Sequence, residues 1–332
     1  MTKYSSMDVY IDGFIQQIPT AIEIGESASI SSPQEPISNI VVSGLGGSGI
    51  GAVLTSALAA DELQVPFMAN SDYFLPGYVS KNTLLIISSY SGNTEETVNA
   101  MKLGMEKGAK IVCITSNGKI MATAKAHGFD VIQIPGGMPP RACLNLSFVQ
   151  QLFVLNKLGL IGDTLINQLK QTAAHLTAED AAIRAEAKSV AQQLDGKIPV
   201  IYGETRMEAI AVRFRQQINE NGKMLCWHHV VPEMNHNELV GWKNVNGPLA
   251  VVFLKNDDDY FRNARRMEIV GEVASKYADV ITIQSKGSNF LEKALYTIYL
   301  TDWISFYLAE LNGSDAVEVN VIDYLKGELA KI

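Results

Sequence analysis

Residues 38–51 read SNIVVSGLGGSGIG, a short β-branched run that stops abruptly in glycines. Consecutive apolar residues without alternation, Ile40 to Val42, suit a strand buried on both faces. Residues 48–62, rich in Ala and Leu and without Pro, predict a helix immediately behind it. A glycine-rich turn between strand and helix lets backbone N–H groups approach an anion, and the helix N-terminus adds partial positive charge. Gly44, Gly46 and Gly49 also match the dinucleotide fingerprint GxGxxG. Taken alone, the turn suits a sugar phosphate, a dinucleotide or a plain structural corner.

Outward from this stretch the alternation continues. VPFMAN (65–70), TLLIISS (83–89), KIVCITS (110–116) and DVIQIP (130–135) predict strands. Val98, Met101 and Met105 recur at helical spacing within 93–109, and a shorter helix follows residue 116. Strands alternating with helices imply a parallel sheet covered on both faces. Residues 141–195 then look helical, with a break at IGD (161–163). A second such pattern begins at KIPVIYGE (197–204). It runs through a helix at 207–221, a strand KMLCWHHVV (223–231), and strands at 247–254 and 278–285 flanking a helix at 260–276. Residues 289–311 form a long, nearly all-apolar helix, which suggests burial on most sides and a place in a subunit interface. NVIDYLKGELAKI (320–332) closes the chain as a short helix. The expected fold is α/β: two doubly wound parallel-sheet subdomains, 1–155 and 196–332, joined by long helices over 156–195. The second half repeats the element order of the first without visible sequence repetition.

The chain has 332 residues, 47% hydrophobic and 19% charged, enough for two well-buried domains. A net charge of −8 disfavours nucleic acid, so an anionic substrate needs a local site. Cys113, Cys143 and Cys226 are far apart and include no CxxC pair, which suggests reduced thiols and a cytoplasmic setting. The opening MTKYSSMDVYIDGF lacks a signal-peptide core, and no uncharged run reaches the ~18–20 apolar residues of a membrane span.

SSYSGNTEET (88–97) decides among the readings of the glycine turn. It follows one strand and opens another helix, and it puts Ser89, Ser91 and Thr94 at that helix N-terminus. With Ser48, these hydroxyls could surround one phosphate monoester. A dinucleotide fold would want an acidic residue ending the second strand, where this chain has Ala69–Asn70. The competing explanation is ordinary helix capping by Asn93 or Thr94. GGSG followed some forty residues on by SYSGNTEET resembles the SIS (sugar isomerase) domain superfamily. That resemblance implies that Gly47, Ser48, Ser89, Ser91 and Thr94 bind the phosphate of a phosphosugar.

Three later motifs narrow the resemblance. PGGMPPRA (135–142) is a rigid loop followed by Arg141 opening a helix, and composition alone favours reading Arg141 as a surface arginine in a turn. NENGKMLCWHHVVPEMNHNELVGW (219–242) concentrates Glu220, His228, His229, Glu233, His236 and Glu238. HExxH spacing is absent and adjacent histidines on a strand face opposite ways, so zinc is disfavoured, while a solvated loop stays open. VIDYLKGEL (321–329) carries Lys326, otherwise an unremarkable lysine. In this order the motifs resemble the bifunctional phosphoglucose/phosphomannose isomerase family. The resemblance implies an aldose–ketose isomerase of glycolysis and gluconeogenesis acting on glucose 6-phosphate through a cis-enediolate, with no cofactor and no metal. It implies Glu220 as base, Arg141 offsetting the enediolate charge, and His236 and Lys326 opening the sugar ring. It also implies a homodimer with His236 reaching into the partner's site. One departure is GSDAVEVN (313–320), where members acting on both epimers often carry a Thr-Pro pair. Whether mannose 6-phosphate is handled therefore stays open. So do two alternatives, a non-catalytic phosphosugar sensor and an aminosugar-phosphate isomerase.

Overall fold

The computed structural model describes residues 6–331. They form two compact units: Gly13–Glu179 with Gly287–Leu295, and the segment up to Asp12 with Asp180–Lys286 and everything from Tyr296 onward. Two helices open the chain, α1 (Met7–Asp12) and α2 (Phe14–Ser27).

The first unit holds five strands: β1 (Asn39–Ser43), β2 (Phe67–Asn70), β3 (Thr83–Ser88), β4 (Lys110–Thr115) and β5 (Asp130–Gln133). All pairings are parallel, in the order β2-β1-β3-β4-β5. All six residues of β3 are buried, which is why its sequence shows no alternation. Helices α3 (Gly46–Ala59), α4 (Glu95–Glu106), α5 (Gly118–His127) and α6 (Leu144–Lys157) connect and cover the sheet. The chain leaves β1 outward to β2 and returns to β3 on β1's other side. The C-terminal ends of β1 and β3 are therefore a topological switch point, where a crevice opens in such sheets.

Helix α2 is absent from the sequence reading because it precedes the first strand and carries Pro19. Its hold on α6 is long-range. Gly25 lies against the Phe153 ring, and the buried amides of Asn145 and Gln150 donate to the Phe14 and Ala21 carbonyls at 2.8 and 2.9 Å.

The second unit has β6 (Ile198–Glu204), β7 (Trp227–Val231), β8 (Leu249–Lys255) and β9 (Asp279–Gln284), all parallel in the order β7-β6-β8-β9. This is the order of the first sheet without its fifth strand, so the duplicated element order holds at the level of topology. The helices here are α8 (Glu208–Glu220), α9 (Phe261–Ala274) and α11 (Asn320–Leu329). Met267, Val270 and Ala274 of α9, at helical spacing, pack with Tyr202, Trp242 and Phe253 in the core. Two further helices, α7 (Thr164–Leu194) and α10 (Phe290–Leu311), have residues in both units.

One expectation is corrected. The strand predicted over 223–231 starts only at Trp227, because Lys223 takes a left-handed φ of 55° that no strand accommodates. The burial expected of the apolar helix holds: nearly all of α10 is buried. Among the described residues, no helix is long and apolar enough to cross a membrane.

Candidate active site

The phosphate motifs converge at the switch point of the first unit. Ser48, in the first turn of α3, accepts the Tyr90 N–H at 3.1 Å and so ties the first loop to the second. Ser89 Oγ and Thr94 Oγ1 lie 3.0 Å apart. Thr94 is the N-cap residue of α4, yet its hydroxyl makes no capping bond and turns to Ser89 instead. Capping thus does not account for the motif. The first-turn N–H groups of α4 and α3 receive no side-chain cap, which is the arrangement an anion can use. Ser48 and Ser89 are buried, and Thr94 is half-buried. Ser91 differs, being exposed and accepting the Asn93 N–H at 3.2 Å.

Tyr90, to which the sequence reading gave no role, joins the loops. Its carbonyl accepts the Ser116 N–H and hydroxyl at 3.1 and 2.6 Å, and its phenol oxygen accepts the Met138 N–H at 3.1 Å. The only signal was its place in the middle of SSYSGN. Arg141 sits in a 3-10 turn, Pro140–Ala142, rather than opening a helix, and only 5% of it is exposed. The surface-arginine reading is therefore wrong. A Cβ on Gly47 would come 2.7 Å from the Pro140 carbonyl oxygen, so the arginine turn rests directly on the glycine loop after β1. In this unit the fold brings Gly47, Ser48, Ser89, Thr94 and Arg141 together.

A cavity of about 360 Å³ opens at the opposite, N-terminal edge of the same sheet, with Lys81, Lys110 and Asp130 in its lining. Its lysines are paired with Glu35 and Asp130 at 2.7 and 2.6 Å, and it lacks the uncapped helix starts of the switch point.

In the second unit Glu220 is the last residue of α8 and half-buried. The Lys223 ammonium donates to the carbonyls of Glu220 and Glu318, and Asn312 Nδ2 donates to the Gly222 carbonyl at 2.8 Å. The departing stretch 313–320 thus borders the loop behind Glu220. Helix α11 starts from this stretch and carries Lys326, with every described residue exposed.

His236 ends a 3-10 turn, Glu233–His236, and is exposed. Between it and Glu220 lies β7, entered from the end of α8. Glu220 therefore sits at the N-terminal edge of the sheet and His236 beyond the C-terminal edge. The five residues of β7 alone separate these edges by about 16 Å. The fold does not bring Glu220 and His236 of one chain together. Glu238 is structural: it accepts from the Tyr202 hydroxyl at 2.5 Å and from Trp227 Nε1 at 2.9 Å. Burial, then this carboxylate, push the Tyr202 phenol up. Burial, with Arg215 and His229 next, holds His228 below the usual histidine range. No group of three His, Cys, Asp or Glu is placed to hold a metal among the described residues.

Known proteins sharpen this picture. Residues 36–158 match the SIS domain family, and residues 183–329 match the bacterial phospho-glucose isomerase C-terminal SIS domain. A bifunctional phosphoglucose/phosphomannose isomerase of Caldicellulosiruptor bescii is 41% identical over 329 residues, covering 96% of this chain and 97% of that protein. The protein of that name from Aquifex aeolicus is 34% identical, covering 97% of each. In three dimensions the C-terminal domain of glucosamine-fructose-6-phosphate aminotransferase from Francisella tularensis superposes with a TM-score of 0.75. It is 14% identical and covers 96% of this chain and 100% of that one, a likeness of fold. Family models over both halves and full-length relatives above 30% identity agree: this chain belongs to the bifunctional phosphoglucose/phosphomannose isomerase family of sugar-phosphate isomerases.

Proposed function

We propose that this chain interconverts fructose 6-phosphate with glucose 6-phosphate and mannose 6-phosphate, at the hexose phosphates shared by glycolysis and gluconeogenesis. The observation that carries the reading is the uncapped pair of helix starts lined by Ser48, Ser89 and Thr94. These loops hold the phosphate, with Gly47 keeping the backbone close and Ser91 at the exposed rim. Fixing the phosphate fixes the register of the far end of the sugar, which contributes to rate through positioning.

His236 and Lys326 pass protons to and from the ring oxygen and the anomeric hydroxyl, opening the ring. Glu220 then removes the proton from carbon 2 of the aldose and returns it to carbon 1, and the reverse for the ketose. Arg141 offsets the charge of the cis-enediolate between the two steps. The expected result of a coupled assay with fructose 6-phosphate is formation of both aldose phosphates. Turnover of glucose 6-phosphate alone would remove mannose 6-phosphate and tie the lost Thr-Pro pair to specificity. No turnover in folded protein would reject the reading.

The site is completed by a second copy. Support comes from the opposite placement of Glu220 and His236 about β7, and from Val321, Tyr324 and Leu325 standing 80%, 69% and 56% exposed on α11. A symmetric dimer would bring the partner's His236 to Glu220. Glu220→Gln and His236→Ala variants should each be inactive. Mixed and allowed to exchange subunits, they should recover up to about one quarter of wild-type activity, since half the dimers are mixed and each holds one intact site. No recovery, or a fully active monomer in sedimentation, would refute the arrangement. None of the three cysteines forms a disulfide and two of them are buried, which supports a reducing, cytoplasmic setting.

A further inference from the structure

Helix α8 and the residue that caps its C-terminus carry a stripe of buried polar side chains at spacing four: Arg213, Gln217 and, at the cap, Asn221, each at most 2% exposed. Opposite them stand Asp302 and Ser305 of α10, buried to the same degree. Arg213 donates to Asp302 at 2.6 Å, Gln217 also hydrogen-bonds Asp302, and Asn221 Nδ2 donates to Ser305 Oγ at 3.0 Å. Ser305 Oγ in turn donates to the Asp302 carbonyl at 2.6 Å, closing the network.

Such a network is a poor way to gain stability. Taking the two charges out of water costs about what their attraction returns, and apolar side chains of the same size often serve as well. Its value lies in direction. Apolar packing tolerates a few degrees of helix roll, whereas a row of hydrogen bonds at several levels does not. The stripe ends at Asn221, one residue past Glu220. The roll of α8 that satisfies Arg213, Gln217 and Asn221 therefore fixes where the Glu220 carboxylate points.

We propose that the Arg213–Asp302–Gln217 and Asn221–Ser305 network is a positioning device for Glu220, with Ser305 as the positioning residue nearest to it. The inference rests on the assignment of Glu220 as the base. Ser305→Ala removes one hydroxyl and leaves the charge pair intact. Thr172→Ala is its control, since Thr172 is equally buried in a helix and its hydroxyl bonds only its own helix, to Gln168, at 3.0 Å. Ser305→Ala should lower kcat about ten- to hundredfold, the scale of a small misplacement of a catalytic group. KM for fructose 6-phosphate should stay within about twofold, and the acid limb of the kcat–pH profile should move. Thr172→Ala should lose as much thermal stability and keep its kcat. In a Glu220→Asp background, whose carboxylate is already displaced, adding Ser305→Ala should cost less than about threefold. A Ser305→Ala enzyme whose kcat and pH profile match those of Thr172→Ala overturns the positioning role and leaves Glu220 as the base. A Glu220→Gln enzyme that turns over overturns both.

Discussion

Glu220→Gln is expected to turn over at least about a thousandfold more slowly than the wild type, within the range that a positioned general base contributes. The amide has the shape of the carboxylate and cannot take up the carbon-bound proton. The surroundings are held through the backbone as well: Lys223 reaches the Glu220 carbonyl, and Asn312 holds Gly222. Fructose 6-phosphate should therefore bind the inactive variant within about threefold of the wild-type KM, measurable by titration because nothing is consumed. A large loss of binding with kcat preserved would make Glu220 a binding residue instead.

Gly92→Ala should be the most damaging change in the phosphate loops. Gly92 has φ +68°, and an added Cβ would lie 1.7 Å from the Asn117 carbonyl oxygen. Two costs combine. A left-handed alanine costs about 1–2 kcal/mol. The overlap with backbone then forces apart the loops after β3 and β4, which Asn93 otherwise links through the Lys119 N–H at 3.1 Å. A loss of about 3 kcal/mol or more is expected, with KM for the phosphosugar raised at least about tenfold. Gly128 separates the two costs: it shares φ +68° but has open space around its missing Cβ. Gly128→Ala should cost only about 1 kcal/mol and leave KM unchanged. Urea midpoints and KM for the two variants measure the difference.

The parallel sheets were legible because buried strands write themselves as unbroken apolar runs, as in Thr83–Ser88, and because glycines mark the turns at their ends. Helix α2 was not, since its partner α6 is more than a hundred residues away and nothing local announces the pairing. The arginine in PPR looked like a turn residue because a turn motif says nothing of what lies on top of it. In the fold that turn lies against Gly47, and Arg141 is buried. Thr94 shows the same limit at smaller scale: local spacing offers capping, and a hydroxyl five residues back outbids it. The separation of Glu220 from His236 was implicit in the sequence, because a strand between two residues puts them at opposite edges of its sheet. It becomes visible once β7 is known to start at Trp227 rather than inside the glutamate loop.

The most direct test of the central claim is turnover of fructose 6-phosphate in D₂O, followed by NMR of the aldose phosphates formed. Proton transfer through an enediolate on Glu220 predicts wild-type product that carries solvent deuterium at carbon 2 in part of the molecules, those in which the proton held on Glu220 exchanges before it is returned, and no labelled product from Glu220→Gln. Wild-type product with no deuterium at carbon 2 in any molecule, as a direct hydride shift would give, or labelled product from the Glu220→Gln enzyme, would contradict it.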